Sequence, residues 1–185
     1  MAKTPSTMLP LGTHAPQFSL PDVVSGKNLG LNSSTQAKAT VIMFICNHCP
    51  YVKHVNKELT RLALNYMSKG VYFLAINSND VEKYPDDSPD NMKKTALLEA
   101  YPFPYLYDQT QEVAKAYQAA CTPDFYVFDE NLSLVYRGQL DDSRPGNQIE
   151  VTGHSIREAL DCVLSGRPLT IEQKPSLGCN IKWKN

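Results

Sequence analysis

The sequence predicts an α/β protein: a mixed central sheet flanked by helices, with a hairpin ahead of the core and a tail behind it. Two observations carry this. Residues 39–45 and 71–76 are continuous apolar runs, as strands buried on both faces require, and an amphipathic stretch joins them. Strand, helix and strand in that order imply a right-handed parallel crossover. Further on, short apolar runs at 125–128 and 133–136 are separated by a turn containing Asp129-Glu130-Asn131, which makes an antiparallel pair. A chain of 185 residues with 42% apolar content buries one sizeable core, so a single domain is expected: an arm over 1–16, a core over 17–166 and a tail over 167–185.

Taken in order, residues 1–16 are rich in Thr, Ser and Pro without periodicity and predict an arm draped on the surface. Phe18 and Leu20, then Leu29 and Leu31, flank the turn signal Ser25-Gly26-Lys27-Asn28 and predict a hairpin. After the strand at 39–45, Val52, Val55, Leu59, Leu62, Ala63, Tyr66 and Met67 recur near the 3.6-residue period, with Pro50 in the first turn and Gly70 as the stop. Ser88-Pro89 supplies a cap and an N1 proline for a second helix, expected to run to Tyr101-Pro102. Residues 103–107 read as extended, 109–119 as a third helix, and 155–164 as a last helix with Ile156, Ala159, Leu160 and Val163 on one face. Cys162 falls off that face, and the stretch 139–153 reads as a long polar loop.

Composition excludes several classes. A formal charge of -1 leaves no electrostatic footprint for nucleic acid or an anionic membrane. No apolar run approaches bilayer-spanning or signal-peptide length, so a cytoplasmic soluble protein is expected. Five cysteines are an odd count in a chain large enough to fold without staples, which points away from a secreted disulfide framework. In a reducing compartment a Cys-x-x-Cys means redox chemistry or metal. That motif is Cys46-Asn47-His48-Cys49, set where the first buried strand gives way to the Pro50 helix. A helix N-terminus presents unpaired N–H groups and a partial positive charge, which favours a thiolate just in front of it.

A thiol pair at a strand-helix junction, a parallel crossover, Thr122-Pro123 opening a terminal hairpin and a final helix resemble the thioredoxin fold over about residues 18–166. Ala15-Pro16-Gln17-Phe18-Ser19-Leu20, Phe103-Pro104-Tyr105-Leu106-Tyr107-Asp108 and Val127-Phe128-Asp129 look like its peroxiredoxin and alkyl hydroperoxide reductase branch. Two departures stand out. In the peroxiredoxin pattern Pro-x-x-x-Thr/Ser-x-x-Cys, Cys49 takes the cysteine position, but Cys46 replaces the hydroxyl residue and Ile42 the proline. Against the thioredoxin pattern, Cys46 matches the nucleophile and Cys49 the resolving thiol, while Ile45 and Asn47-His48 replace the usual neighbours.

The resemblance implies a thiol-disulfide oxidoreductase in which Cys46 attacks and Cys49 resolves, with protonated His48 supporting the Cys46 thiolate. Stabilising the reduced form makes the disulfide easier to reduce, so a potential above the ~-270 mV of thioredoxin is expected. It also implies a cis Pro123 facing the thiols, with the Thr122 backbone placed to pair with an extended substrate. Cys121 would lie near the same pocket, free to exchange with Cys46 or simply packed, and Cys179 would sit in a tail that folds back over the active face, either as an additional resolving thiol or as part of an ordinary docked tail.

Two further readings stay open. One is a thiol peroxidase, in which Cys49 or Cys46 is oxidised to a sulfenic acid that condenses with a second cysteine. The other is a metal protein in which Cys46, Cys49, Cys121 or Cys179 and a histidine hold zinc or copper. Expected partners are a protein or small-molecule disulfide, or a hydroperoxide, and a thiol reductant; no cofactor is implied. His14, His54 and His154 read as solvated, the Arg137-Gly138 end of the hairpin as bordering the active surface, Asp141-Asp142-Ser143-Arg144 as a partner contact or a merely solvated charged loop, and Asp86, Asp87 and Asp90 as no calcium loop.

Overall fold

The computed structural model describes residues 3–33 and 36–184. A five-stranded sheet forms the centre. β1 (Lys3–Pro5), β2 (Ser19–Pro21) and β3 (Asn28–Gly30) precede it, and β2 and β3 pair as the expected hairpin with Leu20 opposite Leu29. The chain then runs through β4 (Ala39–Phe44), α1 (Pro50–Met67), β5 (Val71–Asn77), α2 (Pro89–Leu98), β6 (Tyr105–Tyr107) and α3 (Glu112–Ala116). It ends with β7 (Cys121–Thr122), β8 (Asp124–Asp129), β9 (Leu134–Gly138), α4 (His154–Ser165) and β10 (Leu177–Asn180).

The strand order is β6-β5-β4-β8-β9, with β4 parallel to β5 and antiparallel to β8, so the sheet is mixed. All six residues of β4 are buried because its two faces meet different layers. Val41 and Met43 pack with Val52, Val55 and Leu59 of α1 and Ile156 and Leu160 of α4; Ile42 and Phe44 pack on the opposite face with Ala114, Tyr117 and Tyr126. That two-sided burial is the physical content of a continuous apolar run. α1 and α4 are bound to each other by Tyr66 Oη donating to Asp161 (2.8 Å) and by the Arg157–Glu58 ion pair (2.6 Å). Among the described residues no helix is long and apolar enough to cross a membrane.

Several expectations are corrected. The arm is not merely draped: β1 pairs with β10, and Ser6, Leu9 and Ala15 are buried; Met1 and Ala2 lie outside the described residues. α2 stops at Leu98, not Tyr101, because Ala100 adopts a left-handed conformation (φ 52°) and the Tyr101 N–H returns to the Ala96 carbonyl (2.9 Å), a Schellman closure made without glycine. α3 is shorter than 109–119 for a similar reason, since left-handed Gln111 and Gln118 (φ 64° and 51°) bracket it. Asp141, read as a contact for a partner, is instead buried and accepts from the N–H groups of Ser143, Thr152 and Gly153 at 2.6–2.8 Å, folding its own loop. Arg144 is likewise turned inward, to Gln139 and the Asp141 carbonyl. His54 is half-buried with Nε2 2.7 Å from Ser143 Oγ, and Cys162, off the apolar face of α4, has its thiol 3.5 Å from Glu158 Oε1 on the same helix.

Candidate active site

The site forms where β4, α1, β7 and β10 converge. Cys46 follows β4 by two residues, after Ile45 has added one more bond to the parallel pair (N–H to Ile76 O, 3.0 Å). Cys49 is the N-cap of α1 in an extended conformation, with Pro50 in the first helical turn. The helix therefore begins immediately behind Cys49 and four residues beyond Cys46. Cys49 is fully buried, and Cys46 and Cys179 are 2% and 3% exposed.

Three thiols and one threonine meet here. Cys46 Sγ lies 3.3 Å from Thr122 Oγ1, and Cys49 Sγ lies 3.2 Å from the Thr122 carbonyl oxygen and 2.9 Å from Cys179 Sγ. The Thr122-Pro123 peptide bond is cis. Cys179 reaches Cys49 because β10 pairs antiparallel with β7, putting Cys179 opposite Thr122 and Asn180 opposite Cys121. Cys121 is not brought to Cys46: neighbouring side chains of a strand face opposite ways, so with Thr122 turned to the thiols Cys121 points back toward the Pro123 carbonyl (3.7 Å). Burial pushes its thiol pKa up.

The acidities run opposite to expectation. Hydrogen bonding from Cys46 is the largest influence on Cys49 and, with bonds from Cys179 and the Val52 N–H, brings it down to about 5 against the opposing effect of burial. The same contact raises Cys46 well above its ordinary value, assisted by burial and by the Asp87 charge. Cys179 is pushed up to about 12, by burial first and then by its bond to Cys49. The helix end acts on the thiol that caps it, which is Cys49, and the contact between the two sulfurs lowers Cys49 while it raises Cys46. The motif's order points to Cys46 as the thiolate, whereas the contact between the two sulfurs favours ionisation of Cys49.

Beside the thiols, Asp87 organises the Cys-x-x-Cys turn. It is fully buried; its Oδ1 accepts from the Asn47 N–H (2.8 Å), and its Oδ2 lies 2.6 Å from His48 Nδ1 and accepts from Asn79 Nδ2 (2.7 Å). Burial pushes the Asp87 carboxyl up, but the bonds from His48 and Asn79 outweigh it and hold it below its usual value. The bond to Asp87 in turn raises His48. His48 stacks on Tyr84 at 5.6 Å between ring centroids, and its Nε2 is buried without a partner. Cys46, His48 and Asp87 also offer one ligand atom each within 4.8 Å of one another, the group nearest to a metal set, although His48 and Asp87 already satisfy each other. Asp87, Asn79 and Tyr84 carry no signal in the sequence: they lie 30 or more residues from the motif, and only the return of β5 beside β4 brings them to it.

Residues 11–137 match the AhpC/TSA family, more than half of the chain. The chain belongs to the AhpC/TSA family. Among solved structures, an uncharacterized conserved protein from Geobacillus kaustophilus is 65% identical with a TM-score of 0.97, over 100% of this chain and 97% of that one. A hypothetical protein from Sinorhizobium meliloti 1021 is 44% identical with a TM-score of 0.96, over 98% of each chain. More distantly, a thioredoxin-family thiol:disulfide interchange protein from Chlorobium tepidum TLS is 17% identical with a TM-score of 0.64, over 83% of this chain and 97% of that one. At that identity the likeness shows the fold alone, and the fold is thioredoxin-like. No curated protein matches the chain. In this AhpC/TSA-family protein the family match ends at β9, so β10 and Cys179 lie outside it.

Proposed function

We propose that this AhpC/TSA-family protein is a thiol-disulfide oxidoreductase in which Cys49 is the attacking thiolate and Cys46 the thiol that closes the disulfide. The observation that carries the reading is the placement of Cys49: it caps α1, is held near a pKa of about 5, and has a protonated thiol beside it. Ionised Cys49 attacks one sulfur of a substrate disulfide, the substrate's other sulfur leaves as a thiolate, and a mixed disulfide forms. Cys46 then gives up its proton and attacks Cys49 Sγ, releasing the second substrate thiolate. The substrate gains two electrons, the protein loses two, and a thiol reductant restores it. His48, held by Asp87 and with a ring nitrogen within 4.8 Å of Cys46 Sγ, takes up that proton.

Single-turnover reduction of a small disulfide by the Cys49→Ser and Cys46→Ser variants tests this. Cys49→Ser should be inert, and Cys46→Ser should release the first substrate thiol at the wild-type rate. Exchange that persists in Cys49→Ser and vanishes in Cys46→Ser would restore the opposite assignment.

Hydroperoxide reduction is the second reading, favoured by one observation: Cys49 is buried completely, so a small oxidant reaches it with less rearrangement than a protein disulfide does. Cys49 would become a sulfenic acid with loss of alcohol or water, and condensation with Cys46 would release water. Peroxide consumption no faster than that of free cysteine would remove this reading.

A further inference from the structure

β10 is built into the site rather than laid over it. It is flanked on both edges, by β7 on one side and β1 on the other, with Lys3 and Thr122 both opposite Cys179. Its neighbours fix its height: Ser176 Oγ donates to the Pro123 carbonyl (2.5 Å), the Ile181 N–H to Ala120 (3.0 Å) and the Lys182 N–H to Asn79 Oδ1 (2.8 Å). Gly178 is needed for the approach, because a Cβ there would stand 2.0 Å from the Thr122 carbonyl oxygen. These restraints bring Cys179 Sγ to 2.9 Å from Cys49 Sγ, while a disulfide bond is about 2.05 Å long. Closure requires a shift of less than about 1 Å, with no change in strand pairing.

We propose that Cys179 is a second closing thiol for Cys49, so that the oxidised protein partitions between a Cys46–Cys49 and a Cys49–Cys179 disulfide. This rests on Cys49 being the attacking thiolate. Once Cys49 carries a substrate sulfur in a mixed disulfide, Cys179 loses its proton and attacks Cys49 Sγ. The Cys49–Cys179 bond forms, the bond from Cys49 to the substrate breaks, and the substrate leaves as a thiolate. The oxidant is the substrate disulfide, which gains two electrons as the two protein thiols lose them. Burial first, and then the bond to Cys49 and its charge, hold the Cys179 proton in place, and the mixed disulfide removes the contribution of Cys49.

Oxidised glutathione is the probe, with acid quenching, alkylation and peptide mass spectrometry on the wild type, Cys46→Ser and Cys46→Ser/Cys179→Ser. The glutathione adduct at Cys49 should decay in Cys46→Ser to a Cys49–Cys179 disulfide at least about tenfold faster than it decays in the double variant, as expected for a thiol held at contact. The wild type should show a Cys49–Cys179 fraction beside Cys46–Cys49, a readout that needs no substitution. An adduct equally long-lived in both variants with Cys179 free to alkylate, or a wild type oxidised solely at Cys46–Cys49, overturns the proposal and leaves the oxidoreductase reading standing. Absence of any Cys49 adduct in all three proteins overturns both.

Discussion

At the scale of single residues, the decisive fact is which cysteine the helix begins behind. The folded Cys49 pKa is lowered from 9.0 to about 5, so its contribution to stability is complete above the unfolded value and is lost as pH falls through about 5. Titration of thiolate absorbance, or of iodoacetamide reactivity at Cys49, should give a midpoint near 5 in the wild type. In Cys46→Ala the midpoint should rise, because the largest lowering influence is gone; an unchanged midpoint would show that the helix end alone sets it. Asp87 and His48 form the second pair. His48 is raised by Asp87, so its share of stability is present below the unfolded value of about 6.5 and is lost as pH rises through the folded one. Asp87→Asn should lower the His48 titration midpoint followed by NMR and cost about 1–3 kcal/mol, since the carboxylate also holds Asn47 and Asn79. A His48 midpoint indifferent to the substitution would remove Asp87 as its positioning residue.

At the scale of elements, the same strand that presents Cys179 fills the edge of β7. Both edges of β10 are themselves paired, so an extended polypeptide finds no free backbone beside the thiols. The wild type should therefore reduce a low-molecular-weight disulfide at a measurable rate while an insulin-type protein disulfide is turned over slowly or not at all; comparable rates on both would show that β10 leaves its place. Gly178→Ala bears on the same strand. A Cβ 2.0 Å from a backbone oxygen cannot be relieved by a side-chain rotation, so the pairing must give way, at about 1–3 kcal/mol or more in a denaturation experiment. Cys179 should then alkylate faster than in the wild type. What was legible in the sequence follows the same division. β4, β5, α1, α4 and the β8–β9 hairpin announce themselves because their burial is one- or two-sided over many residues, and periodicity records that. β1, β7 and β10 are two to four residues long and are held by backbone bonds to distant partners, which leave no pattern in side-chain order. For the site, Cys46, Cys49, Thr122, Pro123 and Cys179 could be named from motif and order. Their acidities could not, because these depend on where the first turn of α1 closes and on the contact between two sulfurs. Asp87 was invisible for a different reason: an aspartate near a helix start is common, and only its burial distinguishes it.

At the scale of the whole molecule, Asp124 joins the two ends of the chain to the core. It is fully buried at the start of β8; its Oδ1 accepts from Ser6 Oγ (2.7 Å) and its Oδ2 from Tyr126 Oη (3.1 Å), while Ser6 Oγ accepts the Ser176 N–H (2.9 Å). Arm, sheet and tail thus share one carboxyl. Burial dominates its environment and pushes its pKa up from 3.8 to about 7, in spite of the bonds it accepts from Ser6, Tyr126 and the Phe125 N–H. The unfolded chain ionises first, so this group makes folding progressively less favourable as pH rises from about 4 to about 7 and exacts a constant penalty above that. Cys49 acts in the opposite direction over the interval from about 5 to 9, so the wild-type profile alone cannot assign either effect. The difference between wild type and Asp124→Asn can, because the Cys49 contribution cancels in it. Measured by urea denaturation, the stability of the wild type relative to Asp124→Asn should fall across pH 4–7 by an amount on the order of a few kcal/mol and then level off. A difference that is flat with pH would mean that the carboxyl ionises normally in the folded chain, and that the junction of arm, sheet and tail is held by its hydrogen bonds without the burial penalty.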